Sequence, residues 1–583
     1  MKSVAIAFIT LWAITPLSAQ TNLLVTNPEA EAVLLGNFDP ANYAPAVVID
    51  DPAAIATGLV NGISPDSLHA YLLQMSAFGN RSSGADTVSA TFGIGAARRW
   101  AYQKFQSFSA QHENRLLVSY FQFDLPICAM NRHRNIMAVL PGQGPQYDEV
   151  VLVEAHLDSR CEDECDPDCI AHGMEDNGSG SALVLELARV MSAYSYNRTI
   201  VFLLTTAEEQ GLLGADAFAD YCDLNDVKLK AVLNNDIIGG VICGATASPP
   251  GCPGLNSVDS INVRIYSQGT TNSRNKQLAR FIKLEFQENV APLMPVKPVI
   301  NIMTPEDRTG RGGDHIPFRQ KGFAAVRFTS ANEHGNGDPN GTPNYEDRQH
   351  TTDDVLGLDT DNDGLLDSFF VDFNYLARNA VVNGNALGMA AAGPVTPTNF
   401  NLAGIDNGFE VSFEDSYNYG VYRVGVRTFA TNDWDTVYTI YQTTDSLYGL
   451  APGNIYVVSV ASVDADGVES LFSNERFDNF TTDTREIPAA QQNVELLQNR
   501  PNPFDEATVI SVYVEQALDY REAFIAVYSM QGKELARLPI ALQPGLNEVT
   551  YDYDHHSYVP GTYAYSLVID GQVVATRQMV YAY

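Results

Sequence analysis

The chain has 583 residues and a formal net charge of −35, with 45% hydrophobic and 18% charged residues. That length divides into several cores, and that composition belongs to folded rather than disordered protein. The acidity excludes a nucleic-acid surface and favours a soluble, self-repelling exterior.

Residues 1–19 carry Lys2, an apolar stretch from Val4 to Leu17, and Leu17-Ser18-Ala19 before Gln20, the pattern of a secretory signal peptide. No other run is long enough to span a bilayer, so an exported protein with no membrane span is expected. Residues 20–61, rich in Pro, Ala and Asn, show no legible role. Ser64-Pro65-Asp66-Ser67 is a helix start, and residues 93–109 read as an amphipathic helix. Residues 116–124 and 135–140 read as strands. Strands and helices then alternate to about residue 393, which predicts a mixed, mostly parallel sheet with helices on both faces.

Three apolar runs in this region stop at polar residues. Residues 150–155 end at His156-Leu157-Asp158, residues 199–206 at Ala207-Glu208-Glu209, and residues 231–235 at Asp236. Between the first two, Gly173-Met174-Glu175-Asp176-Asn177-Gly178-Ser179-Gly180 opens an apolar helix over 181–192. Polar groups just past the C-terminal ends of strands are where open α/β sheets hold ligands. Amide hydrolysis by two metals needs a bridging carboxylate, terminal ligands for each ion and a base for the water. Zinc accepts imidazole nitrogen and carboxylate oxygen. His156, Asp176, Glu209, Asp236 and one of the later histidines make that set. His156 and Asp158, two apart at a strand end, can share a side, so Asp158 can hold the imidazole. Glu208 and Glu209 are adjacent and must point differently, so one can bind metal while the other faces water. Each piece alone is ordinarily a solvated face; the joint placement carries the reading.

All seven cysteines lie between Cys128 and Cys252. Export favours disulfides, and one bridge between Cys243 and Cys252 could close a Pro/Gly loop. Cys161, Cys165 and Cys169 could instead form a zinc knot, although their four-residue spacings fit no standard finger. The odd count leaves at least one cysteine without a partner in the chain.

The ordered motifs His-x-Asp, Gly-x-x-Asp-Asn-x-Ser-Gly, Glu-Glu, Asn-x-Asp and His-Thr-x-x-Asp (His350 to Asp354) resemble those of the co-catalytic zinc aminopeptidases, metallopeptidase family twenty-eight, over residues 64–388. The resemblance implies peptide substrates and two zinc ions. His156 and Asp236 would hold one ion, Glu209 and His350 the other, with Asp176 bridging. Glu208 would be general base and acid, and Asp158 would support His156. His315 and His334 are rivals to His350. Where some family members place a Tyr beside the late His, Gln349 stands; Tyr345 could substitute. Arg308 and Arg311 could bind a substrate carboxylate or brace their loop. No serine-hydrolase elbow is present, and the motifs leave no room for the family's inserted lid domain. Other readings are a glutaminyl cyclase on the same fold, a carboxypeptidase of the same family, and a non-catalytic surface binding protein.

Asp359, Asp361, Asp363 and Asp367, with Gly364 at the sixth position, match the start of a calcium loop, although Phe370 stands where the twelfth position wants Glu. A structural calcium completed by Asp367 or Asp372 is expected. Composition then shifts at residues 390–397. Runs at 408–413, 420–428, 437–442 and 454–463 predict a β-sandwich, and residues 455–470 resemble the last strands of a fibronectin type III module. After a linker at 485–492, Asn499-Arg500-Pro501-Asn502-Pro503-Phe504, Tyr528-Ser529-Met530-Gln531-Gly532, Gly545-Leu546-Asn547 and Gly561-Thr562-Tyr563 resemble the C-terminal sorting domain of the type IX secretion system. That resemblance implies passage across a Gram-negative outer membrane by the type IX machinery, then release or surface attachment. The expected division is signal peptide 1–19, N-terminal segment 20–61, di-zinc peptidase domain 62–392, fibronectin-like domain 393–483 and sorting domain with linker 484–583: an α/β catalytic domain followed by two all-β sandwich domains.

Overall fold

The computed structural model describes residues 20–244, 249–308, 311–332, 339–341, 347–480, 494–529, 533–552 and 561–582. The expected signal peptide, His334, Tyr345, the linker at 485–492 and Met530-Gln531-Gly532 lie outside them.

The α/β body is built on a nine-stranded mixed sheet. Its strands are β1 (Thr21–Val25), β2 (Leu117–Ile127), β3 (Met130–Leu140), β4 (Glu149–His156), β5 (Thr199–Thr205), β6 (Lys228–Asn235), β7 (Asn262–Tyr266), β8 (Val299–Ile302) and β9 (Ala325–Ser330). They lie in the order β1-β2-β3-β5-β4-β6-β9-β7-β8. The central run β5-β4-β6-β9 is parallel, while β2 and β3 form an antiparallel hairpin. The central strands are apolar on both faces because both are covered. Val151, Val153 and Ala155 of β4 point into one core, and Val150 and Leu152 into the other.

Helices α1 (Pro28–Leu34), α2 (Pro52–Gly62), α3 (Pro65–Ser76), α4 (Gly93–Gln111), α5 (Gly180–Met191), α6 (Leu213–Leu224), α7 (Arg274–Glu285), α8 (His315–Gln320) and α9 (Phe373–Ala392) cover it. α2 to α5, α7 and α9 contribute to the first core. α1, α6 and α8 contribute to the second. Residues 20–61 therefore do have a place. They supply edge strand β1 and helices α1 and α2, whose starts are capped by the side chains of Asn27 and Asp51. Ser64 caps α3 as its sequence predicts. No described helix is long and apolar enough to cross a membrane.

Disulfides Cys128–Cys165, Cys161–Cys169 and Cys243–Cys252 form, and Cys222 is a buried thiol in α6. The three cysteines of the alternative zinc knot are thus all bridged. A two-stranded ribbon, β10 (Gly357–Leu358) with β11 (Ser368–Phe369), precedes α9.

Two all-β sandwiches follow. The first stacks β12 (Thr398–Ile405), β13 (Gly408–Glu414) and β16 (Thr444–Tyr448) on β14 (Val421–Thr428), β15 (Thr436–Ile440), β17 (Tyr456–Val463) and β18 (Arg476–Asp478). Its core includes Phe409, Val424 and Val460. The second stacks β19 (Val494–Leu496), β20 (Ala507–Val514) and β23 (Gly545–Asp552) on β21 (Ala523–Tyr528), β22 (Glu534–Pro539), β24 (Gly561–Ile569) and β25 (Gln572–Tyr581). Ile510, Val527 and Tyr565 lie in its core. The α/β body meets the first sandwich through a fully buried ion cluster. Glu475 lies 2.7 Å from Arg280 of α7 and 3.1 Å from Arg427 of β14.

Candidate metal centre

β4 pairs with β5 on one side and β6 on the other, so successive connections leave β4 in opposite directions and open a crevice at the strand ends. His156 closes β4, Glu208 and Glu209 follow β5, and Asp236 follows β6. Asp176 is brought in by the turn that starts α5. Asn177 fastens this turn, its Nδ2 donating to the Asn235 carbonyl at 2.8 Å and its Oδ1 accepting from Gly180 N–H at 2.9 Å. The approach admits only glycine at 180, since a Cβ there would stand 2.2 Å from the Asn235 oxygen. Ser181 Oγ ties α5 to the His156 carbonyl at 2.8 Å.

The two oxygens of Asp176 face different histidines. Oδ1 lies 3.2 Å from His156 Nε2, which is 3.4 Å from Asp236 Oδ1. Oδ2 lies 3.1 Å from His350 Nε2, which is 3.2 Å from Glu209 Oε2. His156, Asp176 and Asp236 form one group whose donor atoms lie within 4.8 Å of one another, and Asp176, Glu209 and His350 form a second. All five sequence-derived candidates are therefore assembled. His315 is not among them: it is fully buried at the start of α8, with Nε2 3.2 Å from the Glu306 carbonyl. Asp314 is equally buried and takes the Thr205 hydroxyl.

Asp158 has a broader role than the sequence suggests. The nearest acceptor to His156 Nδ1 is its backbone carbonyl at 3.1 Å, with carboxylate Oδ1 at 3.6 Å. That carboxylate accepts the backbone N–H groups of Glu208 and Glu209 at 3.3 and 3.4 Å. Gln349 Nε2 donates to Asp176 Oδ2 at 2.6 Å. Ala207, Ile237 and His350, each beside or within the cluster, have left-handed backbone at φ +59°, +55° and +62°. For a β-branched residue such as Ile237 that conformation is strained, as functional sites often are.

The site is short of positive charge. Burial alone would lower the pKa of His156, yet Glu208, Asp158, Asp176 and Asp236 hold it well above its ordinary value. Burial likewise opposes protonation of His350, but Glu209 and Asp176 raise it to about 10. Burial, with Glu209, Asp236 and Asp314 nearby, pushes the Glu208 carboxyl well up, against the pull of His156. Crowded carboxylates of this kind call for cations.

Three further residues support the site, and the sequence marked only Asp354, as the end of the His-Thr-x-x-Asp motif. Arg81, fully buried, donates Nε to the Leu157 carbonyl at 2.8 Å and Nη2 to the Gly173 carbonyl at 2.9 Å, and Nη1 to that of His172. It joins the loop of Asp158 to the loop of Asp176. Asp354 accepts the N–H groups of Glu175 and Asp176 at 3.0 Å each. Arg327 of β9 places Nη2 2.9 Å from Asp236 Oδ2. Its signal was available, a lone charge inside the apolar run of 325–328. Arg81, in Asn80-Arg81-Ser82-Ser83, has none, because a buried guanidinium bound to carbonyls looks in sequence like a surface one.

A cavity of about 240 Å³ opens beside Asp176 and Gln349, with Ile237, Ile242 and Leu255 on its apolar side and Glu175, Asp347 and Arg348 on its polar side. Arg308 is buried next to Asp307, and neither it nor Arg311 lines this cavity. In the expected calcium loop, Asp359, Asp361 and Asp367 offer oxygens within 4.8 Å of one another, while the Asp363 carboxylate accepts the Leu365 N–H at 2.8 Å and Asp372 caps α9.

A family model described as peptidase family M28 matches residues 135–365. A probable zinc metalloprotease of Leptosphaeria maculans is 30% identical over 358 residues, covering 59% of this chain and 78% of the relative. The chain belongs to peptidase family M28. Among solved structures, the LapA aminopeptidase of Legionella pneumophila is similar at 18% identity, covering 60% of this chain and 78% of that one with a TM-score of 0.41. The Porphyromonas gingivalis glutaminyl cyclase is similar at 17% identity, covering 56% and 98%, with a TM-score of 0.39. As an M28 zinc metallopeptidase the chain needs a zinc site, and the donors fit. Each triad offers one imidazole nitrogen and carboxylate oxygens, a set zinc accepts.

Proposed function

We propose that this M28 chain is an exported di-zinc aminopeptidase that removes N-terminal residues from peptides. The observation that carries the reading is Asp176 standing between two complete triads, 3.2 Å from His156 and 3.1 Å from His350. Zinc ions held by His156, Asp236 and Asp176 and by Glu209, His350 and Asp176 would supply Lewis acidity toward the scissile carbonyl and make a water more acidic. Glu208 belongs to neither triad, and its carboxyl is drawn toward the neutral form by burial. It is the group to take the proton of the attacking water and return it to the leaving amine. Asp158, through both N–H groups, fixes Glu208 and Glu209 in divergent roles. Asp347 in the adjoining cavity offers a carboxylate to a substrate ammonium, while burial pushes the neighbouring Glu175 carboxyl up to about 8.

Export is part of the same proposal. Three disulfides suit an oxidising compartment, and the signal-like N-terminus and sorting motifs support delivery by type IX machinery to the outside or outer surface of a Gram-negative cell, the first sandwich being a fibronectin-like module.

The test is zinc content together with hydrolysis of a leucine anilide by the wild type and Glu208→Gln. Two zinc ions per chain in both proteins are expected, with the variant's rate down by about 10²–10⁴, the range of a general base. Full activity in the variant overturns the assigned base. One zinc with ring closure of an N-terminal glutamine peptide would make the chain a cyclase, and release of C-terminal residues a carboxypeptidase.

A further inference from the structure

The two triads are not equivalent, and Arg327 is the reason. Asp236 turns Oδ1 toward His156 at 3.4 Å and accepts Arg327 Nη2 on Oδ2 at 2.9 Å. Arg327 is fully buried and pairs in register with Asn234, two residues before Asp236, so the guanidinium reaches Asp236 from the neighbouring strand. Its Nη1 donates to both oxygens of Asp307 at 2.8 Å. The backbone at Gly313 closes over its stem, where a Cβ would stand 3.0 Å from Arg327 Cδ. A guanidinium held at both ends holds its carboxylate in turn. Glu209 is built differently. Its Oε2 faces His350 at 3.2 Å, while its buried Oε1 has no hydrogen-bond partner among the described residues. Glu209 can thus offer both oxygens to an ion, and Asp236 only one.

We infer that Arg327 is a positioning residue that confines Asp236 to single-oxygen ligation and sets the strength of the His156–Asp236 subsite alone, giving the chain two zinc subsites of unequal affinity. This rests on the two-zinc reading. The residues that orient metal ligands typically govern affinity by 10–100-fold, and the ligand that Arg327 grips, Asp236, belongs to the His156 subsite.

The experiment is zinc titration against a competing chelator, which reads affinity without reference to turnover. Wild type is expected to show two unequal steps. Arg327→Met should weaken one step by about 10–100-fold and leave the other at its wild-type value. Backgrounds with one histidine removed identify the step. Added to His350→Ala, where only the His156 subsite remains, Arg327→Met should weaken binding by the same factor; added to His156→Ala it should change nothing. Arg327→Lys, which keeps a charge near Asp236 but loses the two-armed grip, should weaken the step less, and it serves if the Met variant does not fold. Wild type binding one zinc would sink the two-zinc reading itself. Wild type binding two, with both steps unchanged or one tightened in Arg327→Met and Arg327→Lys, would overturn this inference and leave that reading standing.

Discussion

The carboxylate of Asp158 receives the backbone N–H of Glu208 at 3.3 Å. Its other oxygen receives that of Glu209 at 3.4 Å. One acid just past the end of β4 therefore sets the angle between Glu208, the proposed proton carrier, and Glu209, the proposed metal ligand, after β5. Asp158→Ala removes this anchor and leaves two N–H groups in a dry site. The rate on a small peptide substrate is expected to fall about 10–100-fold, as for other groups that orient ligands, with KM changed less than kcat. Unchanged kcat would show that the Glu208–Glu209 turn holds itself.

Arg81 binds three backbone carbonyls, of Leu157, His172 and Gly173, with no exposed surface. Burial pulls its guanidinium down to about 10, but Asp354, Asp158, Asp176 and Glu209 keep it charged. Arg81→Met strands those carbonyls at about 1–3 kcal/mol each. The melting transition of the peptidase body should drop by many degrees and zinc affinity should fall with it, whereas that of the C-terminal sandwich, which has its own core, stays in place. Calorimetry checks this.

The sequence spoke clearly where chemistry is local. His156, Glu209 and Asp236 each end an apolar run, and a parallel sheet buried on both faces needs such runs, so pattern and placement coincide. The turn of Asp176 was legible because glycines mark it. Arg81 acts across a gap of many residues, and no period or spacing reports a guanidinium bound to distant carbonyls; Arg327 and Asp354 carried a local signal that left their partners unnamed. The same limit hid residues 20–61. Strand β1 is only five residues long and draws its ladder from β2, about a hundred positions on, so its own composition could not declare it.

Removing zinc should destabilise the catalytic body alone. Without the ions, Asp176, Glu209 and Asp236 lie at 4–8% exposure around two imidazoles, a repulsion that bound cations cancel. A ligand at 100 times its Kd stabilises the folded state by about 2.7 kcal/mol. Dialysis against a chelator should lower the peptidase transition by several degrees, and added zinc should restore it. A transition that ignores chelation would deny the metal any part in the fold.

Glu475 links the catalytic body to the first sandwich. Burial raises its pKa, but Arg280 and Arg427 outweigh burial and hold it below the ordinary carboxylate value. A depressed carboxyl contributes stability above its unfolded pKa and loses that contribution as pH falls through the folded value. Glu475→Gln at pH 7 leaves two buried guanidiniums uncompensated, at a cost of about 3–5 kcal/mol. The gap between variant and wild type should persist to about pH 4.5 and close in stronger acid. A gap independent of pH would mean that shape, not charge, holds this junction.

Glu469, on the same junction, has the opposite sign. Its carboxyl is pushed up to about 7 by burial, with Glu288 adding to the rise and Arg423, 3.1 Å away, opposing it. Glu285 of α7 is raised as well, by burial and by Glu469 itself. A raised carboxyl favours the folded state fully below its unfolded pKa and gives up that advantage as pH rises through the folded value. The junction should therefore weaken between about pH 4.5 and pH 7. Glu469→Gln, which cannot ionise, should match wild type near pH 4.5 and exceed it at pH 8 by up to a few kcal/mol, since one shifted unit is worth about 1.4 kcal/mol. Melting curves across that range decide the sign. A variant less stable than wild type at pH 8 would mean that the pairing of Arg423 with ionised Glu469 outweighs the desolvation of the carboxylate.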